Sequence, residues 1–159
     1  MSEAQLQTQL AEYIRFRYPG VMFHSDFGSG VKLTPGQAIK QKRQNGGRRA
    51  WPDMFIAEPT QVITNEYPCK GVMLGKASNG FYCAQFAGLF LELKRKGTRL
   101  KKKNGEWATP HIAEQADVLD ALAFRGYKAV FAIGFDEAKA IIDDYLKNMA
   151  NSVMLGQEE

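Results

Sequence analysis

The sequence predicts one mixed α/β domain, its elements running α-β-α-β-(insert)-β-α-β-α. Three observations predict it. Apolar residues recur at helical spacing in three stretches, each opened by a capping residue. Short apolar runs alternate with these stretches, as strands covered by helices do. The chain has 159 residues, 45% hydrophobic and 24% charged, which suits a single domain able to bury a core.

Taken in order, Ser2 with Gln5 three residues on is a capping-box pattern, and Leu6, Leu10, Tyr13 and Ile14 form the stripe of a first helix that stops at Tyr18-Pro19-Gly20. Val21-Met22-Phe23-His24-Ser25 reads as a short strand and Gly28-Ser29-Gly30 as a turn. Thr34-Pro35-Gly36-Gln37 offers a second capping box with proline at the first helical position, for a helix reaching about Gln44. Asp53 to Ala57 reads as a strand. Residues 60–87 are broken repeatedly by Asn65, Pro68, Gly71, Gly75 and Gly80, which predicts an inserted hairpin or loop. In Gly88-Leu89-Phe90-Leu91-Glu92-Leu93-Lys94, three leucines alternate to one face and Phe90, Glu92 and Lys94 to the other. Thr109-Pro110 starts a helix with the stripe Ile112, Gln115, Leu119 and Leu122, ending near Arg125-Gly126. Residues 128–134 read as a buried strand, and Asp136 as the cap of a last helix carrying Ala138, Ile141, Ile142, Tyr145 and Leu146. The expected domain is 1–150, with a flexible tail over 151–159.

Charge narrows the function. Residues 1–103 hold 17 Lys and Arg against 7 Asp and Glu, and residues 104–159 hold 4 against 10. Lys40, Lys42, Arg43, Arg48 and Arg49 form one basic cluster, and residues 94–103 a second that contains no acid. Such clusters favour a polyanion, most often nucleic acid, although either alone is equally a solvated loop. No apolar run nears the roughly 18 residues that span a bilayer, so no membrane association is expected. The first residues lack the pattern of a secretory signal, and two cysteines, Cys69 and Cys83, cannot build a disulfide framework. The expectation is an intracellular protein with reduced thiols.

Two features converge on chemistry. Trp51-Pro52-Asp53 opens one strand, and Glu92-x-Lys94 lies on the next clear one. If these strands pair antiparallel, Asp53 meets Glu92, with Lys94 on the same face. Two neighbouring carboxylates repel unless a cation lies between them, and hard oxygen donors with water suit Mg²⁺ or Mn²⁺. A lysine there can orient water or stabilise charge on a scissile phosphate, so the arrangement supports metal-assisted phosphodiester hydrolysis. Singly each residue has a plainer reading: Asp53 as the first residue of a strand, Glu92 and Lys94 as the polar face of an edge strand. Context shifts the balance, because Glu92 sits in the most apolar strand of the chain, where an unpaired acid is costly. Gln115, on an apolar helical stripe, needs partners, as a core amide or as part of the site.

Pro52-Asp53, then residues 88–94, then Gln115 with Leu122 and Gly126-Tyr127 together resemble the VRR-NUC branch of the PD-(D/E)xK nuclease superfamily, in its small stand-alone phage-type form. The resemblance covers residues 2–147. It implies an αβββαβ restriction-endonuclease-like core with a mixed sheet flanked by helices, a Mg²⁺- or Mn²⁺-dependent deoxyribonuclease, and a homodimer that resolves four-way (Holliday) junctions in the cytoplasm of a bacterial or phage-infected cell. Flap, single-strand or duplex cleavage, and a non-catalytic nucleic-acid-binding domain, are the alternatives. Carried over, Asp53 and Glu92 bind metal through carboxylates and Leu93 through its backbone carbonyl, Lys94 is the catalytic lysine, and Gln115 supports the site. Glu3 is the candidate acid of the first helix, with Glu12 second. The sequence departs from the pattern at Ala50-Trp51, where relatives are often glycine-rich, and in the 39 positions between Asp53 and Glu92.

The remaining groups carry plainer expectations. Arg43, Arg48, Arg49, Arg99, Lys101, Lys102 and Lys103 are the expected DNA-binding residues, contacting phosphates without reading sequence. Trp51 is expected in the core rather than stacked on a base, His24 packed or facing substrate, and His111 on the surface. No zinc is expected, because His24 and His111 are not spaced to complete a site with the cysteines.

Overall fold

The computed structural model describes residues 1–26, 33–48, 50–64 and 71–147, with 61–64 and 77 described by backbone alone. The expected turn at 28–30, Arg49, Cys69 and the tail from 151 lie outside the described residues. The order is α1 (Glu3–Arg17), β1 (Phe23–Ser25), α2 (Pro35–Gln44), β2 (Met54–Ile56), β3 (Gln61–Thr64), β4 (Val72–Ala77), β5 (Gly80–Ala84), β6 (Leu89–Lys94), α3 (Pro110–Phe124), β7 (Lys128–Ile133) and α4 (Gly134–Leu146). Among these residues no helix is long and apolar enough to cross a membrane.

The main sheet runs β1-β2-β6-β7. β2 is antiparallel to β1 and β6, and β7 is parallel to β6. The parallel step needs a crossover, which α3 supplies. The alternation in β6 sorts the layers. Leu89, Leu91 and Leu93 are fully buried on one face, with Met54 and Ile56, beneath Leu6, Leu10 and Ile14 of α1 and Ile142 and Leu146 of α4. Phe90 takes the other face, with Val118 and Leu122 of α3 and Ala50. One carboxylate ties the two helices of the first layer together: Asp143 Oδ1 accepts from Tyr13 Oη at 2.5 Å and Tyr18 Oη at 2.7 Å.

Both capping boxes form. Ser2 and Gln5 bond reciprocally at the start of α1, as do Thr34 and Gln37 at α2. α3 ends in a Schellman motif: Tyr127 N–H reaches Leu122 O, Gly126 N–H reaches Ala123 O, and Gly126 takes φ +92°.

Three expectations need correction. β1 starts two residues later than the apolar run suggests. β7 is not a buried strand; only Ala132 is buried, because β7 is the edge of the sheet. Asp136 does not cap α4. Gly134 at φ +76° lets the chain turn straight from β7 into the helix, which has no side-chain cap, and Asp136 falls in its first turn, where the helix dipole favours an acid. The stretch expected to be a hairpin or loop contains a hairpin, β4–β5, which β3 extends to a second, three-stranded antiparallel sheet, β3-β5-β4. It leaves the main sheet after Ile56 and returns at Leu89, two residues that pair with each other.

Candidate active site

Register builds the site. Met54 pairs with Leu91, so one step further Asp53 stands opposite Glu92, on the face of Phe90 and Lys94. Asp53, Glu92, Lys94 and Gln115 are each at least nine-tenths buried. Asp53 Oδ2 accepts from the Leu93 backbone N–H at 2.8 Å. An extended residue aims its N–H and C=O at the same side, which places the Leu93 carbonyl on the strand edge facing Asp53. Glu92 Oε1 accepts from Lys94 Nζ at 2.8 Å and also from Gln115 Nε2. α3 delivers Gln115 because Thr109 caps that helix and its Ile112–Leu119 stripe packs inward.

The electrostatics are strained in one direction. Burial, then the charge of Asp53, pushes the Glu92 carboxyl up to about 8; the bond from Lys94 and its charge oppose this, and Glu3 adds a further upward push. Glu3 lines the same cleft. Glu12 is exposed and outside the cleft.

These groups form the floor of a cleft of about 720 Å³, walled by α2 on one side and the start of α3 on the other. No described residue of the second sheet lines it. Of the basic residues singled out by sequence, Arg48 lines the cleft. Arg43 and Arg99 are exposed but outside it, and Lys101, Lys102 and Lys103 sit on a separate loop, where Lys101 Nζ lies 4.7 Å from the Trp107 ring centre and Lys102 Nζ is 3.4 Å from Glu106. Lys42 and Arg95 line the cleft instead. His24 is exposed on β1, and His111 is exposed at the cleft with Nδ1 4.0 Å from Glu114. Trp51 is not core: it is 38% exposed on the cleft wall, its Nε1 donating to the Asn45 carbonyl at 3.1 Å.

Sequence reasoning missed Gln7. It is buried on α1, and its Nε2 donates to the Asp26 carbonyl at 2.6 Å and the Asp53 carbonyl at 2.9 Å. Its signal was the one that marks Gln115, an amide flanking an apolar stripe.

No family model and no curated protein matches the chain. Among solved structures, a VRR_NUC domain protein matches with a TM-score of 0.53 over 92% of this chain and 89% of that one, at 22% identity. The chain shares the fold of that VRR_NUC domain protein. The two carboxylates at the paired ends of β2 and β6 pose the question of a cation on their own chemistry. Among the described residues, no three His, Cys, Asp or Glu side chains come together to cage an ion alone. Mg²⁺ does not require that: it is commonly held by one or two carboxylates, waters and substrate phosphate. Asp53 and Glu92 meet this requirement, and Gln115 Oε1, buried beside them, has no hydrogen-bond partner among the described residues. The donor set is all oxygen and fits a hard cation.

Proposed function

We propose that this chain is a Mg²⁺- or Mn²⁺-dependent DNA endonuclease that hydrolyses phosphodiester bonds in branched DNA and resolves four-way junctions as a homodimer. The observation that carries the proposal is the opposition of Asp53 and Glu92 across β2 and β6, with Lys94 and Gln115 both bonded to Glu92. The VRR-NUC fold supports a nuclease reading, and the exposed cations of the cleft support a polyanionic substrate.

In this reading Asp53, Glu92 and the Leu93 carbonyl hold the ion, with Glu3 adding negative charge at the rim. The bound ion supplies countercharge for the scissile phosphate and activation of the attacking water. Leu93 N–H fixes the Asp53 carboxylate. Gln115 Nε2 fixes Glu92. The Lys94 ammonium, buried beside Glu92, orients water or stabilises charge developing on the phosphate. A two-fold dimer sets two such sites on opposed strands, as paired incision needs.

The test is cleavage of labelled four-way junction, flap, single-strand and duplex DNA in Mg²⁺, Mn²⁺ or EDTA, beside sedimentation of the free and junction-bound protein. Metal-dependent paired nicks across the junction by a dimer are the expected result. Binding without cutting favours a non-catalytic nucleic-acid-binding domain, and preferred cutting of flap or single strand by a monomer replaces the junction assignment.

A further inference from the structure

We propose that the cleft wall carries a base-binding bracket, in which Trp51 and Ile39 take one unpaired nucleobase while the adjoining phosphate reaches Asp53 and Glu92. The inference rests on the nuclease reading and deepens it: at the branch point, the nucleotide beside the cut leaves its pair and enters the bracket.

Trp51 and Ile39 line the same cleft as the carboxylates, and they are 38% and 56% exposed. Neither is spare core. α2 buries none of its residues, so Ile39 is held out over the cleft by a helix that packs no side chain into the interior. The Trp51 indole is preset: Nε1 is bonded to the Asn45 carbonyl, and the ring rests on Phe90 at 6.2 Å between centres, with Phe90 stacked on Phe55 at 4.3 Å. An aromatic face held in place and open to solvent suits a stacked base of any identity. Charge is arranged to match. The buried acids line the cleft with exposed Lys42, Arg48 and Arg95, cations free to meet the phosphates that flank a bound base. A cleft of about 720 Å³ has the capacity of a small-ligand pocket, enough for one nucleotide.

The chain has two tryptophans, so Trp107→Phe, which keeps a ring against Phe131, leaves Trp51 as the sole indole reporter. This protein is titrated in EDTA with oligothymidylate of eight nucleotides and with a blunt duplex. The expected result is quenching of Trp51 emission that saturates with the single strand and is far smaller with the duplex. In the wild-type background, Trp51→Ala weakens single-strand binding about 5-fold or more and duplex binding less than about 2-fold, while Trp51→Phe keeps most of the affinity. Circular dichroism checks the fold of each variant. No single-strand binding, unchanged Trp51 emission at saturation, or an equal loss on both DNAs in Trp51→Ala overturns the bracket. The two readings fail separately. Metal-dependent cleavage with no effect of Trp51→Ala keeps the nuclease and removes the bracket; stacking on Trp51 in a protein that cuts no DNA keeps the bracket and removes the nuclease.

Discussion

The carboxylate of Asp53 takes the backbone N–H of Leu93, 40 residues away in sequence, at 2.8 Å. This bond continues the β2–β6 pairing past the end of β2 with a side chain in place of a backbone carbonyl. It stops the Asp53 carboxylate from turning away from Glu92, whose ionisation the Asp53 charge opposes. The Asp53→Asn amide oxygen can still accept from Leu93, so the fold is expected to survive while the charge for the cation is lost. Cleavage then falls by about 10²–10³-fold, the scale of several kcal/mol of metal-assisted stabilisation. Initial rates at saturating Mg²⁺, beside thermal melts, check this; undiminished cutting removes Asp53 from the site.

The buried Glu92 gives the metal-free protein a pH signature. Its carboxyl is held at about 8 against 4.5 for the free group, chiefly by burial. Between those values the folded chain keeps a proton that the unfolded chain has released, so stability falls as pH rises through the window and levels off above about 8. The total is on the order of a few kcal/mol. Urea melts in EDTA at pH 5, 7 and 9 should show a falling midpoint, flattened in Glu92→Gln. Adding Mg²⁺ at pH 7 should release protons and raise the midpoint, and chelation should reverse both. A midpoint independent of pH contradicts the burial of this acid.

Local signals were the most legible part of this sequence. The Ser2–Gln5 and Thr34–Gln37 boxes form because each closes within three residues, with no help from the rest of the chain. The meeting of Asp53 with Glu92 was legible because strand alternation has a strict period of two, so an antiparallel pair fixes both faces at once. Trp51 was misread because a bulky aromatic is assigned to the interior by default, and its exposure depends on α2 packing no side chain inward, which is a tertiary fact. Gln7 was missed because its partners, Asp26 and Asp53, lie 19 and 46 positions away. The basic run over 94–103 looks uniform in sequence, yet the fold sends Arg95 into the cleft and Lys101–Lys103 onto a loop closed by the Lys101–Trp107 bridge.

Gln7 offers a test of how the first helix supports the site. Its amide donates to two backbone carbonyls that bracket the start of β2, and the Asp53 carbonyl also receives Asp26 N–H at 2.8 Å. Gln7→Leu keeps the bulk and removes both donations inside a buried region. The expected loss is about 1–3 kcal/mol, read as a lower urea midpoint at unchanged slope. Because Asp53 hangs from that carbonyl, Mg²⁺ affinity measured by calorimetry should fall as well. Loss of stability with metal affinity intact would confine Gln7 to a structural part.

The division of the basic residues predicts which of them DNA feels. Each cation that neutralises a phosphate releases counterions and contributes close to one unit to the slope of log K against log salt. Arg48 and Arg95 stand at the cleft beside the acids, whereas Lys102 is paired with Glu106 on the outer loop. Arg48→Ala and Arg95→Ala should each flatten the slope by about one unit and weaken binding of single strands of different sequence to a similar degree, as phosphate contacts do. Lys102→Ala should leave the slope nearly unchanged, because it lies on the outer loop and not in the cleft. Fluorescence anisotropy from about 50 to 200 mM salt measures all three. A wild-type affinity insensitive to salt would show that these cations do not hold a polyanion, and a slope lost with Lys102 but not with Arg95 would move the DNA path from the cleft to the loop.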